Sequence, residues 1–295
     1  FMGGPGWKGR VVKYSNRLAP LLAAVVGCGP SPPAPSLAPA PLPNTHTFAP
    51  AHAHTLRGRV VWAGPVPDVP TALASVRTET GKYEPRQVPD PFAPAVGPTA
   101  GVVGAVVFLR GVDPAAARGW DRPAVRVVLR DQQIRVHEGD GPAAAVGFVR
   151  AGDDVAFASA DPTHHMLRGR GAAFFTVPLP DRDRPVVRRL GTPGVVELTS
   201  GAAHSWAAAD LFVCEHPYYA ATDADGRFAL TGVPPGRYEL VARVRNWHVV
   251  GKDRDPESGL PTRRRYARPV EKASAVTVGE AGDMTITLRA DEFLP

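Results

Sequence analysis

Apolar and polar residues alternate along much of the chain with the two-residue period that is typical of half-buried β-strands. The clearest example lies in residues 145–161, where Val155, Phe157 and Ser159 fall on one face of an extended segment. Residues 56–213 contain no convincing helical period, so the pattern predicts an all-β fold. Further strands are predicted at residues 56–64, 101–111, 124–137, 194–200 and 209–215. The Pro-rich residues 65–99 have no sustained period and predict a loop.

More alternating strands follow in the last quarter of the chain, around two turn signals. The letters "DADG" at residues 223–226 are typical of a hairpin turn, and "GVPPG" separates two further strands. Alternation returns over residues 273–290. The charged residues 252–266 predict a solvated loop, and the basic cluster Arg263 to Arg265 is assigned to this loop rather than to a polyanion site.

The N-terminal segment has the order of an export signal, in which positive charge precedes an apolar run. The run covers residues 18–26, which is too short to span a bilayer as a permanent helix. It ends in "VVGC", which resembles a bacterial lipobox. This resemblance implies that residues 1–27 are removed and that Cys28 is lipid-modified and anchored to a membrane. An ordinary cleaved signal with an accidental cysteine is the alternative.

Composition narrows the choice of partners. Residues 28–55 are rich in Pro and Ala without any hydrophobic period, which predicts a disordered tether. The net charge is +6, and loss of residues 1–27 removes four positive charges and no acid, which leaves +2. A charge this small gives no reason to expect a nucleic-acid partner. If Cys28 is acylated, Cys214 has no partner for an intramolecular disulfide.

The stretch "DADGRFALTGVPPGRYEL" combines an acidic turn with Gly, an apolar strand, and a Val-Pro-Pro-Gly turn followed by Tyr and Leu. This pattern resembles the carboxypeptidase regulatory-like family. The resemblance implies a seven-stranded β-sandwich over residues 214–290, with a structural or adhesive role and no catalytic activity.

Two earlier stretches, "RAGDDVAFASADPTHHML" and "PGVVELTSGAAHSWAAADLFVCEHPYY", resemble the cupredoxins of bacterial envelopes. The resemblance implies a β-sandwich over residues 56–213 in which His165 stands at a copper-ligand position and His204 near another. His164 is a further candidate metal ligand. Because adjacent residues of an extended chain point to opposite sides, only one of His164 and His165 can face His204 without a kink.

The sulfur ligands of a blue-copper site are missing from these stretches. Such a site takes two imidazoles, a thiolate and usually a weak thioether. Here the cysteine position falls on Ser200 or Gly201, and the methionine position falls on Ala207. Cys214 lies in an apolar strand and is interpreted as a buried structural thiol.

No catalytic motif of the hydrolase, zinc-protease, phosphate-loop or dinucleotide type occurs, so the sequence predicts that the protein is not an enzyme. We expect two β-sandwiches of Greek-key or immunoglobulin-like type in an exported, lipid-anchored protein of the cell envelope or periplasm. Its role would be binding or structural, with no cofactor and an unidentified protein or carbohydrate partner. The alternative is a periplasmic copper-binding or electron-transfer protein that uses His165 and His204. A carbohydrate-binding accessory domain rests on fold analogy alone.

Overall fold

A computed structural model describes residues 48–78, 80–201, 204, 206–254, 256, 261–279 and 282–295. Within these residues the chain forms β-strands and two short 3-10 turns, Pro50–His52 and Ala290–Glu292, and no α-helix, so the all-β prediction is confirmed. The strands are β1 (His54–Trp62), β2 (Ala72–Arg77), β3 (Tyr83–Val88), β4 (Val106–Arg110), β5 (Val125–Arg130), β6 (Gln133–Glu138), β7 (Val146–Arg150), β8 (Asp153–Ser159), β9 (His165–Gly171), β10 (Phe175–Leu179), β11 (Val186–Leu190), β12 (Gly194–Ser200), β13 (Ala208–Cys214), β14 (Tyr219–Ala221), β15 (Arg227–Val233), β16 (Gly236–Val244), β17 (Val249–Arg254), β18 (Pro261–Tyr266), β19 (Val270–Val278) and β20 (Met284–Leu288).

Nine strands form a sandwich of two sheets around one apolar core. One sheet has the order β10-β9-β12-β13-β7, and the other has the order β11-β8-β5-β6. The alternation that predicted β8 is visible in the burial of Val155, Phe157 and Ser159, all 0% exposed. Val155 and Phe157 pack in this core with Leu167 of β9 and Leu198 of β12. We call this unit the nine-stranded sandwich.

Seven strands form a second sandwich, with sheets of order β15-β1-β20 and β14-β4-β16-β19. Trp62 of β1 and Leu240 of β16 lie in its core. Tyr218 is completely buried there, and its hydroxyl donates to the Gly232 carbonyl at 2.9 Å and accepts the Arg118 N–H at 3.0 Å. These two bonds hold the loop after β4 against the seven-stranded sandwich.

Strand pairing divides the chain differently from the order of the predicted domains. β4 and most of β1 lie within residues 56–213, which the sequence assigned to the first sandwich. In the structure β1 pairs with β15 and β20, and β4 pairs with β14 and β16. The seven-stranded sandwich therefore takes strands from both ends of the described chain. Pairing between such distant segments has no local signature in the sequence.

Two hairpins lie in segments that the sequence assigned to loops. β2 pairs with β3 inside the Pro-rich residues 65–99, and β17 pairs with β18 in a hairpin that overlaps the charged residues 252–266. The loop prediction for these segments is wrong. Proline and charge hide the strand pattern because proline is unusual in strands and runs of charged residues break the alternation of apolar and polar positions.

The two sandwiches pack against each other through a third apolar cluster. On one side it is formed by β4 and β16, and on the other by β7 and β13. Each of these strands therefore buries both of its faces. The buried members of the cluster are Val106, Phe108, Phe148, Phe212, Cys214 and Val241.

The predicted "DADG" turn joins β14 to β15. Asp223 Oδ1 accepts the N–H groups of Asp225 at 2.9 Å and Arg227 at 2.8 Å. Gly226 has a φ of +75°, and a Cβ there would lie 2.2 Å from the Val60 carbonyl oxygen, so this position requires glycine.

In the part of the chain that the structure describes, no helix is long and apolar enough to cross a membrane. The predicted signal at residues 1–27, the lipidation residue Cys28 and the tether up to residue 47 lie outside the described residues.

Candidate two-histidine site

His165 is the first residue of β9 and lies on the core side of the nine-stranded sandwich. It is 2% exposed, whereas the neighbouring His164 is exposed to solvent. The two side chains alternate because the chain is extended here. Of the adjacent histidines, His165 alone therefore faces the buried site.

Asp161 fixes the orientation of the His165 ring. Its Oδ2 lies 2.9 Å from His165 Nε2. The same carboxylate accepts the backbone N–H groups of Asp131 at 2.9 Å and Gln132 at 3.2 Å, in the turn between β5 and β6. Asp161 thus joins this turn to His165. In a neutral ring that donates from Nε2, Nδ1 is the unprotonated nitrogen.

His204 follows β12 and completes the pair. Its ring centre lies 6.0 Å from that of His165, and Trp206 packs on it at 5.1 Å. The Nδ1 atoms of His165 and His204 are both buried, and neither has a hydrogen-bond partner among the described residues. Two neighbouring imidazoles with unpartnered nitrogens form the candidate site.

The spacing of the two rings fits a shared metal ion. A nitrogen–metal bond of about 2.0 Å and about 1.2 Å from nitrogen to ring centre put two ligating rings up to about 6.4 Å apart. The observed 6.0 Å lies within this limit. Burial lowers the pKa of His204, and His165 lowers it further, whereas Asp161 raises it. His204 is therefore neutral at pH 7, which is the form that binds metals.

The sulfur positions of a blue-copper site are filled by other groups. Ser200 is buried at the end of β12, and Ala207 packs in the core. Gly201 donates its N–H to the Met166 carbonyl at 2.6 Å, and a Cβ at Gly201 would lie 2.9 Å from Met166 Cγ. Met166 thus occupies the space that a cysteine side chain at position 201 would need. Blue-copper chemistry does not fit this site.

Cys214 does not supply the missing sulfur. It is completely buried in the cluster between the sandwiches, where its thiol donates to the Phe212 carbonyl at 3.2 Å. Burial raises the pKa of the Cys214 thiol, so the thiolate that copper requires does not form at neutral pH.

Three further described histidines lie apart from the pair. His52 and His54 are exposed near the start of the described chain, and His137 of β6 lies with its Nδ1 3.3 Å from the Gly141 carbonyl oxygen. Among the described residues, no group of three or more His, Cys, Asp or Glu side chains is arranged to hold a metal. A metal at the pair would therefore have only two protein nitrogens as ligands.

His216 gives the protein a pH-dependent stability. It is buried, its Nδ1 accepts the Tyr218 N–H at 3.3 Å, and burial lowers its pKa from 6.5 to about 4. The ring takes up a proton near pH 6.5 when unfolded and near pH 4 when folded. The stability that the neutral ring provides is therefore present above pH 6.5 and is lost as the pH falls to about 4.

We expect His216→Asn, which keeps a hydrogen-bond acceptor but does not titrate, to remove this effect. Between pH 7 and pH 4 the native protein should lose about 3 kcal/mol more unfolding free energy than the variant, as measured by urea unfolding. His164→Asn, at an exposed histidine, is the control and should show no such change. Parallel pH profiles for the native protein and His216→Asn would contradict the assignment.

Comparison with known proteins gives matches among solved structures alone. No known protein-family model matches the sequence, and no curated protein is significantly similar to it. The chain is similar to a Cu-containing nitrite reductase from Thermus scotoductus SA-01, with 14% identity over 33% of this chain and 24% of that one, at a TM-score of 0.26. It spans about a quarter of that enzyme's length.

Two smaller proteins match the same share of the chain. Amicyanin from Paracoccus versutus is 14% identical over 31% of this chain and 81% of its own length, with a TM-score of 0.25. A purple cupredoxin from Nitrosopumilus maritimus is 15% identical over 31% of this chain and 99% of its own length, with a TM-score of 0.24. TM-scores this low do not by themselves establish a shared fold.

The fold and the site together define an all-β protein of two sandwiches with a pair of neighbouring histidines, of which His165 is buried and bonded to a carboxylate. Of the predicted ligands, the structure brings His165 and His204 together and leaves His164 outside. Sequence reasoning gave no role to Asp161. No local pattern signals this role, because the carboxylate also bonds the turn at Asp131 and Gln132, which is distant in the sequence.

Proposed function

We propose that this chain is a non-catalytic, lipid-anchored protein of the cell envelope with a binding or structural role. Its nine-stranded sandwich would be a cupredoxin-like domain without the copper thiolate. The observation that carries this proposal is the filling of both sulfur positions, by Ser200 or Gly201 and by Ala207, while Cys214 is buried elsewhere. The seven-stranded sandwich is compatible with a carboxypeptidase regulatory-like module, which would add a structural or adhesive surface.

Titration of the purified full chain with Cu(II) tests this proposal. We expect no intense thiolate-to-copper charge-transfer band in the visible spectrum and no reversible blue-copper redox couple, because no thiolate reaches the histidine pair. Appearance of such a band would overturn the proposal. Cys214→Ser then identifies the source, since loss of the band in this variant would implicate the thiol that the geometry excludes.

A second candidate function is copper binding by His165 and His204 without sulfur. Their two buried, unpartnered Nδ1 atoms favour it. A copper ion held there would supply a site for ion storage or one-electron chemistry. Asp161 would orient His165 from the other ring nitrogen, as carboxylates do behind metal-bound histidines.

The same titration tests the second candidate through variants. We expect about one Cu(II) bound per native chain by equilibrium dialysis, and loss of this binding in both His165→Ala and His204→Ala. Asp161→Asn should bind about 10- to 100-fold more weakly, since it loses the orienting carboxylate. His164→Ala is the matched control and should bind normally. Binding that survives both ligand substitutions would exclude this candidate.

Membrane anchoring through Cys28 is tested by Cys28→Ala in the expressing cell. We expect the native chain to partition with the membrane fraction and into a detergent phase, and the variant to lose this partition because a single acylated residue supplies the anchor. An unchanged distribution of Cys28→Ala would contradict lipid anchoring.

A further inference from the structure

A groove of about 520 Å³ is lined by arginine side chains from both sandwiches. The sequence assigned Arg263 and Arg265 to a solvated loop, but in the structure they belong to strand β18 and line this groove. Two acidic residues, Glu197 and Asp210, line it as well. The six arginines are Arg170, Arg243, Arg245, Arg263, Arg265 and Arg268.

The two acidic residues neutralise two of the arginines. Arg245 Nε lies 2.5 Å from Asp210 Oδ2, and a second guanidinium nitrogen also bonds this carboxylate. Arg263 donates to Glu197 at 3.2 Å. Of the other four lining arginines, two pair with acids that do not line the groove, and Arg170 and Arg268 have no side-chain ion pair among the described residues.

The side chains of Arg170 and Arg268 make no ion pair or hydrogen bond with the described residues. Arg170 is partly buried and packs 6.0 Å from the Phe174 ring centre. Burial lowers the pKa of Arg170 and repulsion from Arg263 and Arg168 adds to this effect, whereas attraction to Glu197 and Asp253 opposes it. A partly buried cation without a counter-ion costs folding free energy, and a bound anion would remove that cost.

The two remaining lining arginines, Arg243 and Arg265, share their acidic partners with other arginines. Arg265 lies 3.2 Å from Asp253, which Arg263 also approaches at 3.9 Å. Arg243 lies 2.7 Å from Glu271, a carboxylate that Arg110 also binds. The acids around the groove are therefore shared between arginines. In addition, the Nε of Arg263 is buried and has no hydrogen-bond partner among the described residues.

We propose that this groove binds a small ligand with clustered phosphoryl groups, either a free oligophosphate or the headgroup of a phospholipid. The planar guanidinium fork pairs bidentately with phosphate oxygens, and several arginines converging on one site match several phosphoryl groups. The groove lies within the range of about 300–1,000 Å³ that is usual for small-ligand sites.

A second arginine surface provides a matched control. Arg126 and Arg130 of β5 and Arg135 of β6 are exposed on the outer face of the sheet β11-β8-β5-β6. Their charges stand in solvent, so leaving them unpaired costs little. Binding driven only by the positive charge of the protein would depend on Arg126 as much as on Arg170.

Calorimetric titration of the purified full chain with tripolyphosphate tests the proposal. We expect Arg170→Gln and Arg268→Gln each to weaken binding by about 10-fold, the loss of one charge-assisted bond, and Arg126→Gln to change it less than about 2-fold. Without ligand, Arg170→Gln should unfold at the same temperature as the native chain or higher, because it removes an unpaired cation. If Arg170→Gln remains folded but binds tripolyphosphate more weakly, the side chain acts in ligand recognition rather than in folding.

Vesicles of phosphatidylcholine with and without phosphatidic acid distinguish the two sources of the phosphoryl groups. Tripolyphosphate binding without vesicle binding identifies a free ligand, and phosphatidic-acid-dependent binding that Arg170→Gln abolishes identifies a lipid headgroup. Equal losses in Arg126→Gln and Arg170→Gln, or no binding of either probe, would overturn the proposal.

Discussion

Arg245→Ala is expected to lower the free energy of unfolding by about 3–5 kcal/mol at pH 7, the usual cost of leaving a buried charge without its partner. Asp210 is 4% exposed, and Arg245 is the only donor that bonds its carboxylate among the described residues. Arg245 also lies 4.1 Å from the Phe92 ring centre, so truncation removes packing as well. Urea unfolding monitored by tryptophan fluorescence measures the loss.

The size of this loss should depend on pH. Burial already raises the pKa of Asp210, and Arg245 opposes the rise, so the variant raises that pKa further. When folding raises the pKa of a carboxyl, the protein loses stability as the pH rises through that pKa and regains it on acidification. The difference between the native protein and Arg245→Ala should therefore narrow at acidic pH.

Arg265→Ala is the control for the loss of an arginine. Arg265 is well exposed and pairs with Asp253 at 3.2 Å, so its removal should cost less than about 1 kcal/mol. If Arg245→Ala and Arg265→Ala lowered the free energy of unfolding by similar amounts, the buried contact with Asp210 would stabilise the fold no more than an exposed ion pair does.

Phe157→Ala is the second large expected effect, a loss of about 3–5 kcal/mol in the free energy of unfolding. Phe157 is 0% exposed in the core of the nine-stranded sandwich, and its ring meets Phe175 edge-on at 5.5 Å. Truncation leaves a cavity between two sheets that hydrogen bonding holds in register, so the core cannot collapse around it. The urea midpoint should fall without an increase in the slope of the transition.

Phe174→Ala is the matched control for an aromatic truncation. Phe174 is 81% exposed, and its contact with Arg170 at 6.0 Å is that of a surface cation–π pair, so the expected loss is below about 1 kcal/mol. A large loss in Phe174→Ala, or a small one in Phe157→Ala, would contradict the assignment of the core.

Strands with one buried face were predictable from the sequence. In β8, Val155 and Phe157 point into the core while Ala156 between them does not. Because successive side chains of a strand point to opposite faces, the order of residues predicts this alternation. The hairpin β17–β18 was not predictable. Three of the six residues of each strand are charged, and these three are consecutive, so no two-residue period distinguishes the hairpin from a loop.

The candidate site was predictable in part. The resemblance pointed to His165 and His204, and the alternation of an extended chain explained why His164 could not join His165 on the same side. The role of Asp161 depends on its simultaneous contact with the turn at Asp131, which no local pattern reveals.

The sequence by itself determined that the protein is all-β, since the two-residue period is a local consequence of strand geometry. It also determined that no cysteine or methionine stands at the sulfur positions. Only the tertiary structure decided that β1 pairs with β20 and that Arg170 and Arg263 line one groove. Those contacts join segments that are far apart in the sequence, so no local sequence pattern could predict them.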